Sequence, residues 1–181
     1  MPLTHVRAFQ VRYYECDAYG HVNNANYLRY MQETAFDASA AAGYGLTRYA
    51  AMGHHWLVRE TDIEYIHPLR YGDTVQVKTW VADFQRVRSR RAYEFRWDGA
   101  DELVARASTD WVYLDDATGR PAPIPPEMMA AFFPEGLPGR KPTTTSTPES
   151  RRLLECANPW LPYPMTATFF VLIHSGLMSF S

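Results

Sequence analysis

Two periodicities divide this chain. Over residues 5–14 the apolar positions alternate loosely (Val6, Ala8, Val11, Tyr13), which is the two-residue period of a strand. From Asn26 the period lengthens. Tyr27, Tyr30, Met31, Thr34, Ala35, Ala38 and Ala42 recur at three- and four-residue steps, while Arg29, Gln32, Glu33 and Asp37 fall mostly on other faces. That pattern predicts an amphipathic helix of about 17 residues, roughly 25 Å long. Asn23 and Asn24 suit its N-terminal cap, and Gly43 or Gly45 its end. Residues 46–53 read as one or two further helical turns.

Beyond residue 55 the short period returns. Residues 56–66 carry Trp56, Val58, Ile63, Tyr65 and Ile66, and residues 74–84 alternate as Val75, Val77, Thr79 and Val81. Residues 89–97 and 102–114 alternate in the same way, with breaks at Pro68, Gly72-Asp73, the Arg-rich stretch 86–91 and Asp98-Gly99. Four consecutive strands joined by short turns predict an antiparallel meander. One helix covers five strands only if the sheet curls around it. The expectation is therefore an α+β fold, a curved antiparallel five-stranded sheet wrapped around a long central helix. No further helices alternate with the strands, which argues against a parallel βαβ fold.

A short helix is expected near Pro126, and the globular domain is placed at residues 1–133. Residues 134–181 begin with a Pro/Thr/Ser-rich linker, PEGLPGRKPTTTSTPES, and finish in an apolar tail. The uncharged run of that tail is shorter than the ~20 residues a spanning helix needs, so no membrane span is expected.

Composition narrows the picture only at the margins. The 181 residues carry a formal net charge of -2, which gives no basic stripe for nucleic acid. Cys16 and Cys156 make no disulfide framework, and MPLTHVRAF lacks the basic and apolar regions of a secretion signal. A soluble, cytoplasmic protein is expected.

The chemistry concentrates where the first strand meets the long helix, in Tyr14-Glu-Cys-Asp-Ala-Tyr-Gly-His-Val-Asn-Asn-Ala-Asn-Tyr27. Asp17 precedes a helix N-terminus, whose unsatisfied N–H groups, those of Asn23 and Asn24 among them, attract partial negative charge. A carbonyl placed there is polarised and its tetrahedral oxyanion stabilised. Asp17 could attack that carbonyl or take a proton from an attacking water. It could equally be an Asx-turn residue that only shapes the loop, and the sequence leaves both readings open. His21 either orients Asp17 or holds the leaving group, or it is a turn residue whose ring hydrogen-bonds to the backbone. Gly20 supplies a positive φ or a close approach of substrate.

Other residues carry competing readings of their own. Cys16, adjacent to Asp17 on an extended segment, points the other way and reads as a buried structural cysteine. Glu33 reads as a solvated helix carboxylate, with catalysis as its fallback role. Arg86, Arg88, Arg90 and Arg91 form either a solvated hairpin or a grip for phosphates. His54-His55 lack further ligands at metal spacing, so neither metal nor cofactor is expected.

The run Y-x-E-x-D-x-x-G-H-V-N-N-x-x-Y before a long helix resembles the hotdog-fold acyl-CoA thioesterases of the 4-hydroxybenzoyl-CoA thioesterase-like superfamily. Ile63-Glu-Tyr-Ile-His-Pro68-Leu-Arg-Tyr-Gly72-Asp73 resembles a second element of that family, and the likeness covers roughly residues 5–115. The G-H-V-N-N variant is also similar to acyl-ACP thioesterases. The resemblance implies a homodimer or homotetramer that hydrolyses an acyl-CoA. In it Asp17 is the catalytic carboxylate, the Asn24 amide polarises the thioester, and His21 and Asn23 occupy loop positions of the site. Arg86, Arg88 and Arg90 would contact coenzyme A phosphates. Apart from the resemblance, Gly20 is a candidate for substrate approach and Tyr27 for a pocket wall, although core aromatic is the commoner fate of such a tyrosine. In another hotdog branch the carboxylate sits on the helix, which keeps Glu33 in view. A hotdog hydratase or dehydratase fits less well, because Asp17-Ala-Tyr-Gly-His21 is one residue short of a D-x-N-P-x-H loop and lacks its Asn-Pro. A non-catalytic acyl-CoA-binding module leaves the acid in the turn without a purpose.

Overall fold

The computed structural model of the protein describes residues 1–136. The predicted tail, with Cys156, lies outside that range, as does all but the start of the predicted linker. The elements follow in the order β1 (Thr4–Gln10), a 3-10 turn (Tyr13–Glu15), α1 (Asn24–Ala41), α2 (Leu46–Met52), β2 (His54–Tyr65), β3 (Thr74–Phe84), β4 (Arg88–Trp97), β5 (Leu103–Asp115) and α3 (Pro126–Phe132).

The helix period is borne out except at its last position, Ala42, which is the C-cap and only half-buried. Tyr27, Tyr30, Met31, Thr34, Ala35 and Ala38 are buried along α1, and the stripe also takes in Asn26. Asn23 is the N-cap, its side chain accepting a hydrogen bond from the Ala25 amide at 3.0 Å. Two flanking ion pairs fix the rotation of the helix. Arg7 of β1 reaches Glu33 at 2.8 Å and Asp37 at 2.7 Å, two residues one helical turn apart. The first strand is shorter than expected, because the chain leaves the sheet after Gln10 and coils into the 3-10 turn.

All five strands form one antiparallel sheet in the order β1-β3-β4-β5-β2. This corrects the expected meander, which holds only for β3-β4-β5. β2 pairs with β5 at the far edge, from His54 opposite Asp115 to Tyr65 opposite Ala105. β1 takes the place beside β3 instead. The reason lies in the eight residues that follow Tyr65. They run past the start of α1, where Leu69 is 0% exposed and its carbonyl accepts the Val22 amide at 2.8 Å. A connection anchored there delivers β3 to the far side of the sheet rather than back along β2.

The core has two centres. One gathers Tyr27, Tyr30 and Met31 of α1 with Val75, Val77, Phe95 and Val104 of the sheet. The other gathers Tyr44, Val81, Tyr113, Met128 and Phe132 at the opposite end. Because α1 packs on β1 and β3, the β2 side of the sheet receives less cover from it. Leu57, Val58, Tyr65 and Ile66 remain exposed there. Among the described residues no helix is long and apolar enough to cross a membrane.

Candidate active site

Asp17 sits in a tight turn bounded by a single bridge between Cys16 and Val22. Its Oδ1 accepts the Tyr19 amide at 2.8 Å and the His21 amide at 3.1 Å. The Asp17 amide donates to the His21 carbonyl at 2.7 Å, and the Gly20 amide to the Asp17 carbonyl at 3.0 Å. Gly20 carries φ +79°, a value that a side chain makes costly, so the chain reverses here on glycine. The Asx-turn reading of Asp17 is thus realised through one oxygen. Oδ2 has no hydrogen-bond partner among the described residues, and the residue is exposed.

The helix terminus lies on the other arm of the same turn. Asn23 caps it, and Asn24 is its first residue. Among the described residues the Asn24 amide finds no partner. A free carboxylate oxygen and an unfilled helix-terminal amide on facing arms can act on two atoms of one carbonyl group, its carbon and its oxygen.

Glu15 ties these arms together, a role that no spacing or residue pattern in the chain announced. Its carbonyl accepts the Asn23 amide at 2.9 Å and the Asn26 side-chain Nδ2 at 2.7 Å. Its carboxylate Oε2 accepts the Arg12 amide and the Tyr30 hydroxyl, each at 2.7 Å. Burial, together with that bond to the carboxylate, raises the Tyr30 pKa well above the usual tyrosine range, so the hydroxyl stays a donor. A bond to an ionised partner contributes about 1.5–3 kcal/mol net. From below, the Pro68…Gly72-Asp73 element braces the turn. His21 bridges to Arg70, and Asp73 closes its own turn by accepting the Arg70 amide at 2.6 Å.

The remaining predicted residues are placed less uniformly. His21 meets Asp17 through its backbone, and its ring makes no hydrogen bond among the described residues. Tyr27 is 3% exposed, set edge-on to Tyr65 at 5.0 Å, and lies beneath the turn as a core residue. Glu33 is more than two helical turns from the α1 terminus and paired with Arg7. Cys16 is half-buried and packs against the core.

Of the arginines, only Arg86 lies in the β3–β4 turn, because β4 begins at Arg88. Arg88 and Arg90 face away from α1. Arg90 forks onto Asp110 at 2.8 and 3.1 Å, and those bonds hold the Asp110 carboxyl below its ordinary range. Arg91 belongs elsewhere, which corrects its grouping with a surface phosphate grip. Strand alternation turns it under the helix side, where it is 7% exposed, 3.5 Å from Ser39 Oγ and beside the Phe132 ring. No cluster of His, Cys, Asp and Glu among the described residues is arranged to hold a metal ion.

Comparison with known proteins places the chain. The profile of the Thioesterase-like superfamily matches residues 11–132. The palmitoyl-acyl carrier protein thioesterase of Cuphea hookeriana chloroplasts is 30% identical over 132 residues, which is 70% of this chain and 32% of that protein. The chain thus spans about a third of the length of this plant relative. YneP of Bacillus subtilis (strain 168), a candidate acyl-CoA thioesterase, is 29% identical over 115 residues, 64% of this chain and 83% of its own. Among solved structures, the 1,4-dihydroxy-2-naphthoyl-CoA thioesterase Slr0204 of Synechocystis superposes with a TM-score of 0.66. It covers 72% of this chain and 96% of its own at 21% identity, a likeness of fold. The curled sheet around α1 is the hotdog fold, and the chain belongs to the thioesterase-like superfamily.

Proposed function

We propose that this chain hydrolyses acyl-CoA thioesters to the free acid and coenzyme A. The observation that carries the proposal is the division of labour within Asp17. One oxygen is held by two amides, while the other has no hydrogen-bond partner among the described residues, in a turn that leads within a few residues into the N-terminus of α1. The thioester oxygen would lie on the Asn24 amide, which stabilises the oxyanion. Asp17 either attacks the carbonyl carbon or takes a proton from an attacking water and returns it to the departing thiolate. Asn23 holds the helix end in place, Gly20 lets the substrate approach, and the His21 backbone fixes the carboxylate.

The acyl group would lie between α1 and a second copy of the chain, in a homodimer or homotetramer. The long edge of β2, which no other strand pairs with among the described residues and along which Leu57 and Val58 are exposed, supports that assembly. Arg86 and Arg88 are proposed to meet the coenzyme A phosphates, with Arg90 joining them if it leaves Asp110. A second reading, acyl-ACP as substrate, is favoured by the Cuphea relative. We place the protein in the cytoplasm, in line with its two cysteines, Cys16 and Cys156.

The test is thiol release from aromatic, short, medium and long acyl-CoAs and from one acyl-ACP. At least one acyl-CoA should be hydrolysed, and Asp17→Asn should lower kcat ~100-fold or more without altering the melting temperature. Glu33→Gln should stay within about twofold of the parent, since its carboxylate is engaged by Arg7 more than two helical turns along α1 from the N-terminus. Release from acyl-ACP alone would select the second reading, and no release from any substrate would leave a binding module. Full activity in Asp17→Asn would remove the mechanism, and loss in Glu33→Gln would move the catalyst onto α1.

A further inference from the structure

We infer that Glu15 is a positioning residue for the hydrolysis, holding the Asp17 turn in register with the N-terminus of α1 through the Tyr30 hydroxyl. The inference rests on Asp17 being the reacting carboxylate.

Glu15 stands two positions before Asp17, and its bonds reach three places along one side of α1. They are the Asn23 amide, the Asn26 side chain and the Tyr30 hydroxyl, at 2.9, 2.7 and 2.7 Å. These span the cap and the first two turns of the helix. The Glu15 carbonyl holds the cap and the first helical turn, and its carboxylate adds a third point a turn further along the helix axis, which limits how the loop can tilt. The far end of the clamp is rigid too. The Tyr30 ring is 3% exposed and stacks on Phe9 of β1 at 4.5 Å. The path therefore runs from β1 through Tyr30 and Glu15 to the turn, without passing through any group proposed to touch substrate.

Register is what the chemistry asks for. A carboxylate oxygen and a helix amide must meet two atoms of one carbonyl group, and a misplacement of about 1 Å costs up to 100-fold in rate. The Asx-turn bonds and the Cys16–Val22 bridge close the loop onto the residue before the cap, and the Glu15 contacts hold it against the first turns of α1 itself. The Glu15 carboxylate also takes both of its bonds on Oε2, from the Arg12 amide and Tyr30. A glutamine can present its carbonyl oxygen to the same two donors, so position and charge can be separated by experiment.

The test uses Tyr30→Phe, Glu15→Gln, Glu15→Ala and the last combined with Asp17→Asn, all assayed by thiol release below their melting transitions. Tyr30→Phe keeps the ring against Phe9 and deletes only the hydroxyl. It should lower kcat about tenfold with KM within about twofold. Glu15→Ala should lose more, and Glu15→Gln should recover kcat to within about threefold of the parent with the acid limb of the pH profile unmoved. On the Asp17→Asn background, Glu15→Ala should have little further effect. Three results would overturn the inference. Tyr30→Phe and Glu15→Ala could both keep the parent kcat. Glu15→Gln could fall as far as Asp17→Asn, which would make the Glu15 carboxylate itself the reactant. Glu15→Ala could lose the same factor with and without Asp17, which would make its effect a general one. Asp17→Asn alone reports on the underlying reading, so a failure there is distinguishable from a failure of the clamp.

Discussion

Asp17 and Gly20 share one reversal of the chain, and each constrains the other. The Gly20 amide closes the turn onto the Asp17 carbonyl at 3.0 Å, and the left-handed φ of Gly20 then turns the chain so that the next amide, that of His21, meets Asp17 Oδ1. A Cβ at Gly20 would meet nothing within 4 Å, so the cost of Gly20→Ala is conformational rather than steric. We expect that variant to lose about 1 kcal/mol in urea unfolding. Unchanged stability would mean that the turn relaxes to another shape. Contacts this local were legible in the sequence, since a glycine after an acid and asparagines before an apolar stripe predict their own partners. His21 shows the limit of that reading. Its spacing from Asp17 was sound, but the bond runs through the backbone, and a residue type says little about its amide. Glu15 and Tyr30 were not legible as a pair. Fifteen positions separate them, and only the return of the helix across the turn brings them together.

At the scale of elements, α1 was legible nearly to its ends, because a buried stripe and a cap act within a few residues. The strands were legible as strands but not in their order, because pairing depends on how connections pack. Leu69 decides it, buried where the chain crosses beneath the start of α1. Arg91 illustrates the same point, since alternation could have assigned it to the buried face had its run of arginines not drawn it to the surface. The displaced strand β2 has twelve residues and, among the described residues, one open edge, and a long exposed edge tends to pair. We expect the purified protein to sediment as a dimer or a multiple of one. Replacing Leu57 and Val58 together by Asp should shift it to monomer by placing carboxylates on the joining surface. A parent protein that sediments as monomer at every concentration would remove the assembly reading.

Across the whole molecule, the sheet order has a bearing on time as well as on shape. Thr4 pairs with Trp80 and Gln10 with Thr74, so the first strand waits for a partner made much later in the chain. β2 likewise waits for β5, with α1 and α2 already behind it. Contacts so distant in sequence close slowly, whereas a helix forms in microseconds or less. The turn that holds Asp17 is braced by the Leu69 crossing and by Glu15 acting through Tyr30, and Tyr30 rests on β1. Competence for catalysis should therefore be among the last properties acquired on refolding. Circular dichroism should report α1 well before thiol release returns, and simultaneous recovery of the two signals would contradict this order.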